Sequence, residues 1–252
     1  MVVYKGIKYV GLTNLCQARE KDMINTRRLH LEKAYNVRDL GGYPLCGNTV
    51  TKWGVFYRSA DLAEINKNDM DLLYDYGIKT IINLKALDET RNPIENDKRF
   101  NHIQVPLIDN FPKMFEIIKD YEGSFYLTMI KAFAPCIKEI FNTIAKHVDS
   151  GGILFHCLSG KDRTGIIAML LLLLAKASDL DIIADYIVSA VYMRPDATKR
   201  NQGFETILKY PEEIEFIMAV VNDEYDGAEN YLQRIGVSLD AINKIKESFI
   251  TM

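Results

Sequence analysis

Twice along the chain, apolar residues recur at helical spacing, a glycine breaks the run, and a short β-branched or apolar stretch follows. In the first case Asn66 stands three residues before Asp69, a polar N-cap with an acid in the first turn. Met70, Leu72, Leu73 and Tyr76 follow, Gly77 ends the helix, and residues 78–84 read as a strand. In the second, Ile130, Phe133, Ile137, Ile140, Phe141, Ile144 and Val148 repeat at three and four, Gly151-Gly152 interrupt, and residues 153–156 are strand-like. Pro135 either starts a new helix there or kinks a long one. Helix, glycine and buried strand in alternation predict an α/β fold with a largely parallel central sheet flanked by helices.

The rest of the chain fits around this unit. Residues 1–34 read as a lead-in, rich in Arg and Lys from Arg19 to Lys33, and residues 36–58 as glycine-punctuated turns and small strands. Residues 110–131 carry Met114, Phe115, Ile117, Ile118, Tyr121, Phe125 and Tyr126, suiting either an ordinary amphipathic helix pair or a lid over a site. The most apolar stretch, 166–175, is about half the roughly 20 residues a membrane span needs, so it reads as a buried helix. Ser178 and Asp181 have capping-box spacing and open a helix through about Tyr192. From Gln202 the chain is mostly helical, with a turn at Asp226-Gly227 and a last helix after Ser238. No repeat divides the 252 residues, which are expected to form a single domain.

Composition narrows the function classes. A net charge of −3 and a pI near 5.9 give no global footprint for nucleic acid, so affinity for an acidic substrate must come from a local site. Cys16, Cys46, Cys136 and Cys157 form no CxxC pair, and four scattered histidines offer no zinc spacing. We therefore expect no disulfide framework, no metal and no cofactor, and reduced thiols suited to the cytosol. The first twelve residues lack the continuous apolar segment of a signal peptide, which points to a cytoplasmic protein with no integral membrane association.

The chemistry concentrates in Ile153-Leu-Phe-His-Cys-Leu-Ser-Gly-Lys-Asp-Arg-Thr-Gly165. Strand, tight loop and helix N-terminus bring successive N–H groups onto one anion, and the helix dipole adds positive potential. Leu158, Ser159, Gly160, Lys161, Asp162, Arg163 and Thr164 would form this phosphate cradle, with Arg163 adding a planar two-point clamp. The same field stabilises a thiolate: cysteines so placed titrate at roughly 3.5–7.5 instead of ~8.5. Cys157 is thus the candidate nucleophile, needing no separate base.

The motif HCLSGKDRTG, from His156 to Gly165, resembles the signature of the bacterial tyrosine/serine protein phosphatases, the family of the mycobacterial secreted phosphatase B with its dual-specificity and phosphoinositide-directed relatives. Asn36-Val-Arg-Asp-Leu-Gly-Gly42 resembles the family's NxRDLGG, Phe56-Tyr-Arg-Ser-Ala60 its FRSA-type strand, and Ala184-Asp-Tyr-Ile187 the helix after the loop. The resemblance spans about residues 35–195 and implies a phosphotyrosine-phosphatase-like fold. It also implies metal-independent phosphomonoester hydrolysis through a phosphocysteine. The implied partners are a phosphorylated protein, a phosphoinositide or a small phosphate ester.

In related dual-specificity enzymes a general acid lies on a loop upstream of the helix preceding the signature. Val105-Pro-Leu-Ile-Asp109 occupies that place, making Asp109 the better candidate and Asp162, within the loop, its rival. One departure is plain: the family's Asp-Leu-Arg is Asn83-Leu84-Lys85 here, which puts the role of that pair in doubt. Among the remaining residues, His156 reads as a buttress of the loop, Lys161 as a substrate contact, and Thr164 or Ser159 as a donor to the sulfur. Arg38 and Arg58 read as structural, tied to carboxylates or carbonyls. A sulfurtransferase or arsenate reductase, and a silent phosphate-binding module, are the competing classes.

Overall fold

The computed structural model describes residues 26–86, 93–193 and 204–251; most of the lead-in with Cys16, and Gln202, lie outside these. Five strands, β1 (Arg38–Asp39), β2 (Phe56–Ser59), β3 (Ile78–Asn83), β4 (Asn101–Gln104) and β5 (Gly152–His156), form one sheet in the order β1-β2-β5-β3-β4. Four of them run parallel and β1 is antiparallel to β2, so the largely parallel α/β architecture holds. β5 is central and wholly buried, which is why it reads as an unbroken apolar run. β4 escaped the sequence reading because Asn101-His-Ile-Gln is mostly polar. It is an edge strand, with no residue fully buried.

Alternation along the strands separates two cores. Tyr57, Ile81 and Leu154 face a smaller cluster with Leu73 of α1 (Lys67–Asp75) and with Leu29 and Val37. Phe56, Ile82, Ile153 and Phe155 face the larger one, built from the later helices. Those helices are α2 (Phe111–Ile117), α3 (Phe125–Ala132), α4 (Ala134–His147), α5 (Asp162–Leu174), α6 (Asp179–Tyr192), α7 (Phe204–Tyr225), α8 (Ala228–Arg234) and α9 (Leu239–Phe249). Among the described residues no helix is long and apolar enough to cross a membrane.

Pro135 marks a break and not a kink: α3 ends at Ala132, and α4 carries the proline in its first turn, where a missing N–H costs no helical bond. Tyr126 to Ile130 of α3 are all buried, so this part of the 110–131 segment belongs to the core. α5 is apolar nearly all round and is buried from Arg163 to Leu172. It fixes the C-terminal end of the loop that precedes it.

At α1, Asn66 accepts the Asp69 amide at 2.8 Å, and Gly77 follows the helix with φ +82°. The buried Asp69 carboxylate then accepts the amides of Glu32 and Lys33 at 2.7 and 2.8 Å, fastening the incoming chain to the helix. Each such charge-assisted bond contributes about 1.5–3 kcal/mol. Asp69→Ala should therefore lose about 3 kcal/mol in urea unfolding, whereas exposed Asp75→Ala should cost under about 0.5 kcal/mol. Equal losses at the two positions would refute the fastening role.

Candidate active site

β5 delivers Cys157 at its carboxyl end, and the chain turns through Leu158–Lys161 before α5 starts at Asp162. Four successive carbonyls of this turn are held from outside. The Asp61 amide donates to Leu158 O at 3.0 Å. The Asn36 side-chain amide donates to Ser159 O at 3.1 Å and Gly160 O at 3.0 Å. Arg58 Nη2 donates to Gly160 O at 2.8 Å and reaches Lys161 O at 3.4 Å.

A trans peptide sets its N–H opposite its C=O. Tying carbonyls 158–161 outward therefore turns the N–H groups of residues 159–162 to the other side. There, those of Ser159 and Gly160 meet no acceptor among the described residues. Converging free amides form an anion nest. Gly160 makes the turn possible: φ is +67°, and a Cβ would stand 2.4 Å from Ser59 O.

The outside donors are themselves anchored in one buried cluster. Asp185 on α6 accepts Arg38 Nε at 2.8 Å, Tyr43 Oη at 3.1 Å and Arg58 Nη1. Arg38 also donates to Asp185 O at 2.7 Å, to Ser189 Oγ at 2.8 Å and to the side-chain oxygen of Asn36. Burial pushes the Asp185 carboxyl up, but Arg38 and Arg58 outweigh it and hold it well below the usual carboxylate range. Burial, then the charge of Arg58, lowers Arg38 to about 10, so it stays protonated at neutral pH. Arg38 and Arg58 are thus tied to both carboxylate and carbonyls.

The departure at Asn83-Leu84-Lys85 has a local explanation. Lys85 is fully buried and its Nζ lies 2.8 Å from Asp61 Oδ1, the residue whose amide holds Leu158 O. Asn83 Oδ1 accepts the Lys85 amide at 3.0 Å. His156 is buried beside them, and its Nδ1–H reaches Cys157 O at 3.4 Å.

The structure gathers Cys157, the loop and the start of α5 into one site, with Cys157, Lys161 and Arg163 buried and Leu158 60 % exposed. Thr164 Oγ1 is buried without a partner among the described residues, while Ser159 Oγ lies 3.4 Å from the Lys161 amide. The two acid candidates sit differently. Asp162 Oδ1 accepts the Tyr126 hydroxyl of α3, which also bonds Tyr186 of α6, and lies 3.5 Å from Lys161 Nζ. Burial lowers Lys161, against the raising charges of Asp162 and Glu213. Asp109 is exposed, just before the N-cap of α2, and close to Cys136, whose thiol is raised by burial and then by Asp109. The backbone places Asp109 at the sheet edge where Cys157 emerges, since the Val105 and Leu107 amides continue onto Asn83 O and Leu84 O, and Leu84 N onto His156 O.

Sequence reasoning gave no role to Asn36, Asp61, Asp185, Tyr126 or Tyr186. For Asp185 the signal was its place on α6, in line with Ile182 and Ser189 on the inward face. Beside the loop, Lys33, Tyr35, Ala60, Asp61, Leu158 and Ser159 line a cleft of about 310 Å³. No group of three His, Cys, Asp or Glu among the described residues could hold a metal.

A cysteine at the end of the central strand, a loop with its carbonyls tied outward, and a buried arginine six residues after the cysteine fit the class of cysteine-dependent phosphatases. A sequence model of the tyrosine phosphatase family matches residues 29–251, and the chain belongs to that family. It is 31 % identical over 226 residues to a tyrosine-protein phosphatase of Nostoc commune, covering 81 % of this chain and 76 % of that one. It is 29 % identical over 164 residues to a putative tyrosine-protein phosphatase of Cupriavidus necator, covering 61 % and 60 %. Among solved structures, Pseudomonas aeruginosa TpbA aligns at 13 % identity and TM-score 0.34, over 66 % of this chain and 86 % of that one. Scores this low do not bear on the site. Family membership sets aside the sulfurtransferase, arsenate reductase and silent-module readings.

Two buried groups give stability a pH signature. Burial, with the Lys85 charge adding, lowers His156 to about 3, and burial raises Asp39 to about 6. The unfolded histidine takes its proton near pH ~6.5, so the stability from neutral His156 is complete above that pH. Below it, stability falls by about 1.4 kcal/mol per unit. Asp39 acts oppositely: between pH ~4 and ~6 the folded state takes the proton first, so stability rises on acidification. Between about pH 4.5 and 6 the two slopes nearly cancel, so wild-type stability in denaturant unfolding should change little. Over the same range Asp39→Asn should lose stability on acidification at about one proton, whereas His156→Gln should gain it. A His156→Gln variant with the wild-type slope would show that His156 is not held neutral.

Proposed function

We propose that the chain hydrolyses phosphotyrosine in proteins through a phosphocysteine on Cys157. The observation that carries this is the outward tethering of carbonyls 158–161, which turns the amides of the loop toward the side where the equatorial phosphoryl oxygens would lie. Among them, those of Ser159 and Gly160 meet no acceptor among the described residues. Cys157 Sγ attacks phosphorus in line, and the bond to the leaving oxygen breaks. Arg163 and the amides bear the charge that develops on the three remaining oxygens. Thr164 donates to the sulfur, first as thiolate and later as leaving group, a role supported by its hydroxyl being buried without a partner among the described residues. Water then attacks the phosphocysteine, releasing phosphate and regenerating the thiolate.

A phosphorylated side chain on a protein suits the site better than a small ester. The cleft beside Leu158 and Ser159 gives room for chain flanking the phosphorylated residue. For the acid we infer Asp109. Asp162 is already engaged by Tyr126 and Lys161, whereas exposed Asp109 lies at the carboxyl edge of the sheet and can approach a leaving oxygen.

Cys157→Ser should lose turnover of an aryl phosphate by at least about 10³-fold with EDTA present, while still binding inorganic phosphate through the loop amides. Full activity in the serine variant, or strict dependence on added metal, would overturn the mechanism.

An acid matters most for a basic leaving group. Asp109→Asn should therefore lose about 10²-fold on a tyrosyl phosphate and only a fewfold on nitrophenyl phosphate, with one limb of the pH–rate profile flattened. Asp162→Asn should weaken both substrates alike. The reverse pattern would assign the acid to the loop itself.

A further inference from the structure

We infer that Asn36 is a positioning residue for the phosphate loop, through a side-chain amide that sets the loop's peptide planes. This deepens the phosphatase reading, since it concerns the same loop.

Asn36 lies more than a hundred residues from the loop in sequence, is buried, and uses every part of its side chain. Its Nδ2 donates to Ser159 O at 3.1 Å and to Gly160 O at 3.0 Å, and its Oδ1 accepts from Arg38 Nη1. The neighbours fix this orientation: two carbonyls can only accept and a guanidinium can only donate. The side chain therefore joins the Arg38–Asp185 cluster to the two peptide units whose N–H groups, on Gly160 and Lys161, face the cradle. Guanidinium polarisation of the Asn36 amide strengthens its donation to the two carbonyls.

The backbone at Asn36 is committed to this role. Its φ is +57°, in the left-handed region that asparagine tolerates better than most residues, and its own N–H is held by Tyr192 O at 3.0 Å. Nothing else among the described residues holds Ser159 O. Without the Asn36 amide that peptide plane is free to rotate, and the Gly160 N–H with it.

The left-handed φ also makes the test clean, because Asn36→Gly removes the side chain while keeping a backbone that glycine adopts readily. A second variant, Tyr43→Phe, removes the hydroxyl that donates to Asp185 Oδ1 in the same cluster without touching Ser159 O or the Arg58 group that holds Gly160 O. Inorganic phosphate binding by calorimetry, kcat and KM on an aryl phosphate, and the thermal midpoint would be measured for each. We expect Asn36→Gly to weaken phosphate binding and lower kcat, each on the order of 10- to 100-fold, with KM on the aryl ester changed less than kcat. Its melting curve should remain cooperative. Tyr43→Phe should leave phosphate affinity within about twofold.

Asn36→Gly within twofold of wild type in both phosphate affinity and kcat would overturn the inference. So would equal losses of affinity in the two variants, since the cluster's packing and not the loop contact would then be responsible. Phosphate affinity is read without turnover, so a wild type that binds phosphate but hydrolyses no phosphotyrosine would count against the proposed function alone.

Discussion

One carboxylate, Asp185, holds two buried arginines, and the shape of the loop from Leu158 to Lys161 depends on that arrangement. Arg38 and Arg58 converge on it from β1 and β2, strands that are adjacent in the sheet with these two residues directly paired. Two like charges so close and so deep would repel at great cost without a shared counter-ion. Asp185 neutralises one charge, and hydrogen bonds to Ser189, Asn36 and the loop carbonyls take up most of the other donors, Arg58 Nε alone being buried without a partner among the described residues. Removing one of these three charges typically costs about 3–5 kcal/mol, because the others are left uncompensated. The excess positive charge lies behind the loop proposed to receive the phosphate.

The loop is fixed from three directions. β5 sets Cys157 at the centre of a parallel sheet, bonded on both sides. α5, buried along almost its whole length, sets the other end. Asp61, Asn36 and Arg58 hold the carbonyls between them. Electrostatic stabilisation is effective when the dipoles are already aimed before charge develops, so little reorganisation accompanies reaction. Rigid anchoring of peptide planes is what that requires.

The pairing of Lys85 with Asp61 shows how a departure from a family pattern can be accommodated. A buried lysine is tolerable only with a partner, and Asp61 supplies one at 2.8 Å. Asp61 is also the residue whose amide takes Leu158 O, so the substitution feeds into the same scaffold. His156, buried beside Lys85, is kept neutral by burial and by that charge, and its N–H is left to meet the Cys157 carbonyl.

What the sequence determined by itself was local. Period and punctuation along the chain were enough for β3, β5, α1, α4 and α6, because their signals lie within a few residues of one another. The proposed cradle could be named for the same reason, since Cys157 to Thr164 is one contiguous stretch at a strand-to-helix junction. β4 was not, because an edge strand paired on one side needs no apolar face. The remaining assignments belong to the tertiary structure. Whether Pro135 broke or bent a helix depended on how α3 and α4 packed. Asn36, Arg58 and Asp185 are separated by up to 149 positions and meet only because β1, β2 and α6 surround one loop. Hydrogen-bond partners of buried polar groups are chosen by proximity in space, and sequence spacing carries no record of that choice.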